Sequence, residues 1–177
     1  MRTVTGLVLG GLGAVALALS ATAMAEPAPL EVAAATRTLH AVHEARASAY
    51  ALGMTTATVP GGLTATMTEE VARQQTAIHE AATRLTTDRY EAVIASVDPA
   101  DPSCAGSTCE VDYRVITEFV RPASEVSAGA PETMGMGENR RAEFVHDADG
   151  TWLLAGDRST EPPGGISDPY TDAIRGS

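Results

Sequence analysis

The residues of this chain with the most chemistry in them are its four histidines and two cysteines, and their spacing limits what they can do. His40 and His43 stand three apart with Glu44 beside them. On a helix they share a face, so with His79 from a neighbouring helix they could meet a divalent metal. The H-E-x-x-H arrangement that pairs two imidazoles with a general base is missing, and no metal ligand set is assigned. Cys104 and Cys109 enclose Ala-Gly-Ser-Thr. That spacing is not the C-x-x-C of a redox pair, and no second cysteine pair or nearby histidine completes a zinc site. An even, close pair in an exported protein reads as a disulfide, here one that pins a turn between strands.

Other motifs fail on context. Gly11-Leu12-Gly13-Ala14-Val15-Ala16 matches a dinucleotide-binding fingerprint, but no strand precedes it and no βαβ unit surrounds it. Asp147-Ala148-Asp149-Gly150 resembles part of a calcium loop, yet Thr151, Trp152 and Leu153 follow where further ligands belong, so a tight turn is expected. There is no G-x-S-x-G nucleophile elbow, and no Ser-His-Asp set or carboxylate pair is singled out by spacing. With both cysteines oxidised, neither offers a thiolate. No catalytic residue and no cofactor are assigned.

Met1 to Ala25 carries one basic residue, an uncharged apolar stretch and an Ala-Met-Ala cleavage site, which is the layout of a secretory signal peptide. The mature chain is expected to begin near Glu26, outside the cytoplasm, with no stable membrane insertion after cleavage. The formal charge of −11 becomes −12 once Arg2 is removed, and every basic residue is Arg. So anionic a surface opposes binding to nucleic acid or to anionic lipid. The Arg-only, Ala- and Gly-rich usage fits a high-GC actinobacterial genome.

Behind the chemistry stand the elements that must position it. After a short leader at 26–29, residues 30–52 read as an Ala-rich helix with Leu39, Val42, Arg46 and Ala49 on one stripe, closed by Gly53. Pro60-Gly61-Gly62 breaks the chain. Thr66 or Thr68 can cap a second helix whose stripe is Met67, Val71, Gln74, Ile78, Ala82 and Leu85. From Asp88 the period changes to two, giving strands at 90–97, 110–119, 140–146 and 151–157, with 123–137 as a loop and 160–177 as a tail. Along 110–119, Val111, Tyr113, Val115, Thr117 and Phe119 alternate with mostly charged residues, the pattern of an antiparallel sheet wet on one face. The expected fold is one α+β domain over 30–158: two helices on a curved four-stranded antiparallel sheet, of the cystatin-like or NTF2-like kind. Trp152, Leu154, Phe144, Tyr113 and Val115 would face the helices.

A concave sheet leaves a place for a ligand, and Tyr113, Thr117 and Trp152 with Met134 and Met136 of the glycine-rich loop are its candidate lining. The order of elements also resembles the N-terminal region of secreted actinobacterial proteins that carry an amidase-like catalytic domain. The resemblance rests on His43-Glu44-Ala45-Arg46-Ala47, Arg84-Leu85, the 111–120 strand, Phe144-Val145-His146-Asp147, the run from Trp152 to Arg158, and Asp168-Pro169-Tyr170. It implies a non-catalytic accessory domain acting on an extracellular protein or cell-wall component, since the catalytic Cys and His belong to the downstream domain. Two other functions are expected to compete: a small NTF2-like enzyme with His79 or His146 beside a pocket carboxylate, and a protease inhibitor presenting the 104–109 loop.

Overall fold

The computed structural model describes residues 28–51, 59–84, 90–126 and 131–161. Three helices, α1 (Val32–Ser48), the single turn α2 (Gly61–Thr64) and α3 (Glu69–Arg84), precede five strands: β1 (Ala92–Pro99), β2 (Ser103–Ala105), β3 (Thr108–Val120), β4 (Thr133–His146) and β5 (Trp152–Ser159). The strands form one antiparallel sheet in the order β1-β3-β4-β5, with β2 also paired to β3. The α+β class read from the periodicity is the class observed.

Period-two alternation decides which face of β3 is inside. Cys109, Val111, Tyr113, Val115, Thr117 and Phe119 are buried, while Glu110, Asp112, Arg114, Ile116 and Glu118 are exposed. Over that inner face α1 lays Leu39, Val42 and Ala35, and α2 and α3 add Leu63 and Val71. Each large side chain so buried contributes about 1.5–3 kcal/mol. A second cluster of Ala49, Tyr50 and Ile78, joined by Tyr90 and Val93, closes the other end.

β1 and β2 share one side of β3 and are one strand broken by a bulge. Pro99 pairs with Tyr113 and Ser103 with Glu110, so three residues stand opposite two. The bulge holds Pro102 and follows Pro99, both at an edge where a missing N–H costs nothing in the ladder. Tight turns complete the meander. Gly106, with φ 61°, opens the two-residue turn between β2 and β3, and Gly150, with φ 87°, ends the turn before β5. Asp147 accepts the amides of Asp149 and Thr151 at 3.0 and 2.8 Å, so the Asp-rich segment is a turn.

Four expectations are corrected. The segment 123–137 is not all loop: β4 begins at Thr133, so Met134-Gly135-Met136-Gly137 is strand, paired residue by residue with 116–119 of β3. Glycine is a poor strand former, but the ladder to a thirteen-residue neighbour overrides that preference. The cysteine turn is itself a short strand, β2. Gly61 and Gly62, read as a breaker, start a helical turn behind Pro60. On α3 the inward glutamine is Gln75, not Gln74, which is exposed. Residues 1–27, Gly53, the side chains of Ala82 and Leu85, and residues 162–177 of the expected tail lie outside the described residues.

The Cys104–Cys109 disulfide joins directly opposed residues of β2 and β3. It closes a ring already held by a hairpin, so replacing both cysteines (Cys104→Ser with Cys109→Ala) should lower unfolding free energy by only about 2 kcal/mol. Urea unfolding should show that loss with the far-ultraviolet circular dichroism of the sheet retained.

Candidate functional site

The largest departure from an apolar interior is a set of charged and polar side chains between the helices and the sheet. Asp157 on β5 is 2% exposed, Arg46 on α1 is 4% and Arg140 on β4 is 6%. Burying any one of these alone would cost several kcal/mol, so they must compensate one another. Arg46 Nη1 lies 2.8 Å from Asp157 Oδ2, as an ion pair without hydrogen-bond alignment. Arg140 Nε donates to Oδ1 at 2.9 Å, and the Tyr113 hydroxyl donates to the same oxygen at 2.6 Å. Arg46 Nε also donates to Gln75 Oε1 at 2.8 Å, and Arg140 Nη1 to Glu138 Oε2 at 2.8 Å. His43 Nε2 stands 2.8 Å from the Tyr113 oxygen. Because that hydroxyl proton is committed to Asp157, Nε2 carries a hydrogen and donates. His43 Nδ1 is then a bare lone pair, buried and without a partner.

A bulge places Asp157 there. Phe144 pairs with Leu154 and Glu143 with Gly156, so β5 carries one extra residue, Ala155. Without it, strict alternation from buried Leu154 would turn Gly156 inward and Asp157 to the wet face. The extra residue sets Asp157 opposite Ala142, which is fully buried, on the inner face.

The electrostatics follow. Burial pulls the Asp157 carboxyl upward, but Arg46 and Arg140 outweigh it and hold the group well below the usual carboxylate range. Burial opposes the charge on Arg140 as well, and Asp157 more than restores it. Tyr113 is pushed up by burial and by the adjacent carboxylate, so it stays a neutral donor. His43 is lowered well below 6.5, first by burial and then by Arg46, with Asp157 only partly offsetting them. The cluster thus holds an ionised acid, two guanidinium cations, a phenol and a neutral imidazole, with the Gln75 amide beside them, drawn from α1, α3, β3, β4 and β5.

The residues read from the sequence fall in different places. Tyr113 is inside the cluster. Thr117 is buried on the same face, paired with Met136, and Met134 pairs with Phe119; both methionines are half-buried. Trp152 is remote from them. It pairs with His146 at the other end of β4, twelve residues from Met134 and so about 40 Å along the strand. Its indole N–H donates to the Ala28 carbonyl at 2.9 Å, and its ring meets His146 edge-on. The five candidates therefore do not form one pocket.

Of the histidines proposed as pocket bases, His146 packs on Trp152 and His79 is buried with Nε2 unpartnered. It is His43 that stands beside a carboxylate. His40 points outward, 3.6 Å from Glu44, and no group of three or more potential metal ligands occurs among the described residues. Sequence reading missed Asp157 and Arg140, although Arg46 had been placed on the apolar stripe of the first helix. Arg140 shares the parity of Ala142 and Phe144, so alternation alone puts a cation inside and demands a buried anion.

Outside the core, α1 and the α2 segment enclose a groove of about 620 Å³. Ala41, Ala45, Pro60 and Leu63 line it, with Arg37 and Glu44 also on its walls. No helix of the described residues is long and apolar enough to cross a membrane.

No protein-family model matches the chain, and no curated protein matches it. A solved structure described as an "Ntf2 like protein involved in plasmid conjugation" superposes with a TM-score of 0.41 at 11% identity, over 76% of this chain and 50% of that one. The chain thus spans half the length of that structure.

Two outcomes follow from the cluster. Asp157→Ala strands two guanidinium groups in the core and should cost about 3–5 kcal/mol in urea unfolding. His43 is neutral when folded but protonates below 6.5 when unfolded, so the unfolded state binds the extra proton and stability falls as pH drops below 6.5. The limit is about 1.4 kcal/mol per pH unit, and the Asp157 contribution is lost in turn below 3.8. Denaturation of His43→Gln between pH 7 and 5 should lack the first of these slopes.

Proposed function

We propose that this chain is an exported, non-catalytic binding or accessory domain that engages another extracellular protein or a component of the cell envelope. The observation that carries this reading is the closure of the buried cluster. The side chains of Asp157, Arg46, Arg140, Tyr113 and His43 are nearly all shielded from solvent, and most of their polar atoms are spent on one another. A carboxylate held strongly ionised by two arginines is a poor general base, and a phenol pushed upward is a poor acid. The interior is thereby given to architecture, and recognition is left to outer surfaces such as the groove between α1 and α2. Export is supported by the leader at Met1 to Ala25, and the accessory role by the resemblance to the region that precedes amidase-like domains.

The enzymatic reading has one observation in its favour, the unpartnered lone pair of His43 Nδ1. A base needs a substrate within reach, and His43 is 2% exposed. An inhibitory loop at 104–109 has less support, because the bridge sits in a two-residue hairpin with Cys109 fully buried.

The binding reading is tested by expressing the full chain in an exporting host, confirming by mass spectrometry that it starts at Glu26, and sedimenting it with isolated cell walls or passing supernatant over it. Retention above an inert acidic control is expected, reduced by Ala41→Trp, which fills the groove. Retained cytoplasmic protein with Met1 intact, or no retention by any fraction, would sink the proposal. His43→Gln should leave retention unchanged.

A further inference from the structure

The sheet protects its edges unevenly. β1 is guarded by Pro99 and the Pro102 bulge, and β5 is capped where Thr68 N donates to Leu154 O and Leu154 N to Thr66 O, both at 2.9 Å. β4 has neither device over its first six residues. Its pairing with β5 ends at Arg140 and Ser159, so among the described residues Thr133 to Glu138 has β3 on one side and no strand on the other.

Two hydrogen bonds say which groups are left open. Arg121 N donates to Glu132 O, so even-numbered residues here point their main chain toward β3. Thr160 N donates to Asn139 O at 2.9 Å, so odd-numbered residues point away from it. Main-chain direction alternates along a strand. Thr133, Gly135 and Gly137 therefore present the outward N–H and C=O groups of this edge, which pair with no strand among the described residues. Two are glycines, and the space where a Gly135 side chain would stand is empty within 4 Å. A backbone can approach without obstruction. On the inner face the edge carries half-buried Met134 and Met136, the latter beside Thr117. On the outer face Glu118 lies opposite Gly135, exposed and without an ion partner among the described residues, while the Arg114 side chain covers Gly137.

We propose that this edge of β4 takes an extended segment of the partner as an added strand, a deepening of the binding reading on which it rests. The segment's main chain pairs with Thr133, Gly135 and Gly137. Its apolar side chains lie on Met134 and Met136, which adapt to varied shapes. A cationic side chain level with Gly135 reaches Glu118 across two strand spacings, about 10 Å with no side chain between. The formal charge of −11 favours the same partner chemistry.

The test uses the full chain and a capped peptide alternating lysine and valine as probe. Hydrogen exchange should find the Gly135 and Gly137 amides open in the free protein, and slowed about tenfold or more by about 1 mM probe. Gly135→Pro removes an outward N–H while sparing the β3 ladder, and should weaken the probe about tenfold. Glu118→Gln, a surface change that leaves the backbone untouched, should weaken this probe but not one alternating threonine and valine. Amides already protected in the free protein, protection that grows with protein concentration alone (a second copy on the edge), or no protection by the probe would each overturn strand addition. Cell-wall or supernatant retention that survives Gly135→Pro would leave the binding reading standing and remove only this one.

Discussion

Everything in this interior is arranged around one negative charge. Asp157 is the anion among two buried guanidinium groups, and its oxygens tie α1 through Arg46, β3 through Tyr113 and β4 through Arg140 to its own strand. Gln75 and His43 extend the set to α3 and back to α1. Such a cluster is not a cheap source of stability, since desolvating each ion costs several kcal/mol. What it supplies is a strong preference for one register. A slip of β5 by one residue would carry Asp157 to solvent and leave Arg46 and Arg140 bare in the core.

The apolar core and the polar cluster divide the work between them. Leu39, Val42, Val111, Phe144 and Leu154 provide the non-directional drive that brings helices to sheet. That drive is tolerant of small shifts, because one aliphatic neighbour serves nearly as well as another. Directional bonds from Tyr113 and Arg140 to a single carboxylate, with the Arg46 ion pair beside them, are not. They fix the height of α1 over the sheet as well as the pairing of β5 with β4.

The same logic separates inside from outside in functional terms. A concave sheet under helices could have held an enclosed pocket, but here its centre is filled by groups that pair mostly with one another. Among the described residues, outer surfaces with room for a partner include the groove between α1 and α2 and the glycine-bearing overhang of β4.

Periodicity alone fixed much of this molecule. The change from helical to period-two spacing near Asp88, the apolar face of 110–119 and the Cys104–Cys109 bridge follow from local steric and hydrophobic rules that each segment obeys by itself. Tyr113 was visible as an inward residue, and so in principle was Arg140, by parity with Ala142 and Phe144. Tertiary structure alone decided the rest. Met134 to Gly137 became strand because β3 is long enough to pair with it, which outweighs glycine's own preference. Trp152 parted from the methionines because β4 runs the full length of the sheet and holds them at opposite ends. Asp157 came inside because β5 absorbs Ala155 in a bulge, and a one-residue bulge is chosen by how two strands meet, something neither strand carries in its own alternation.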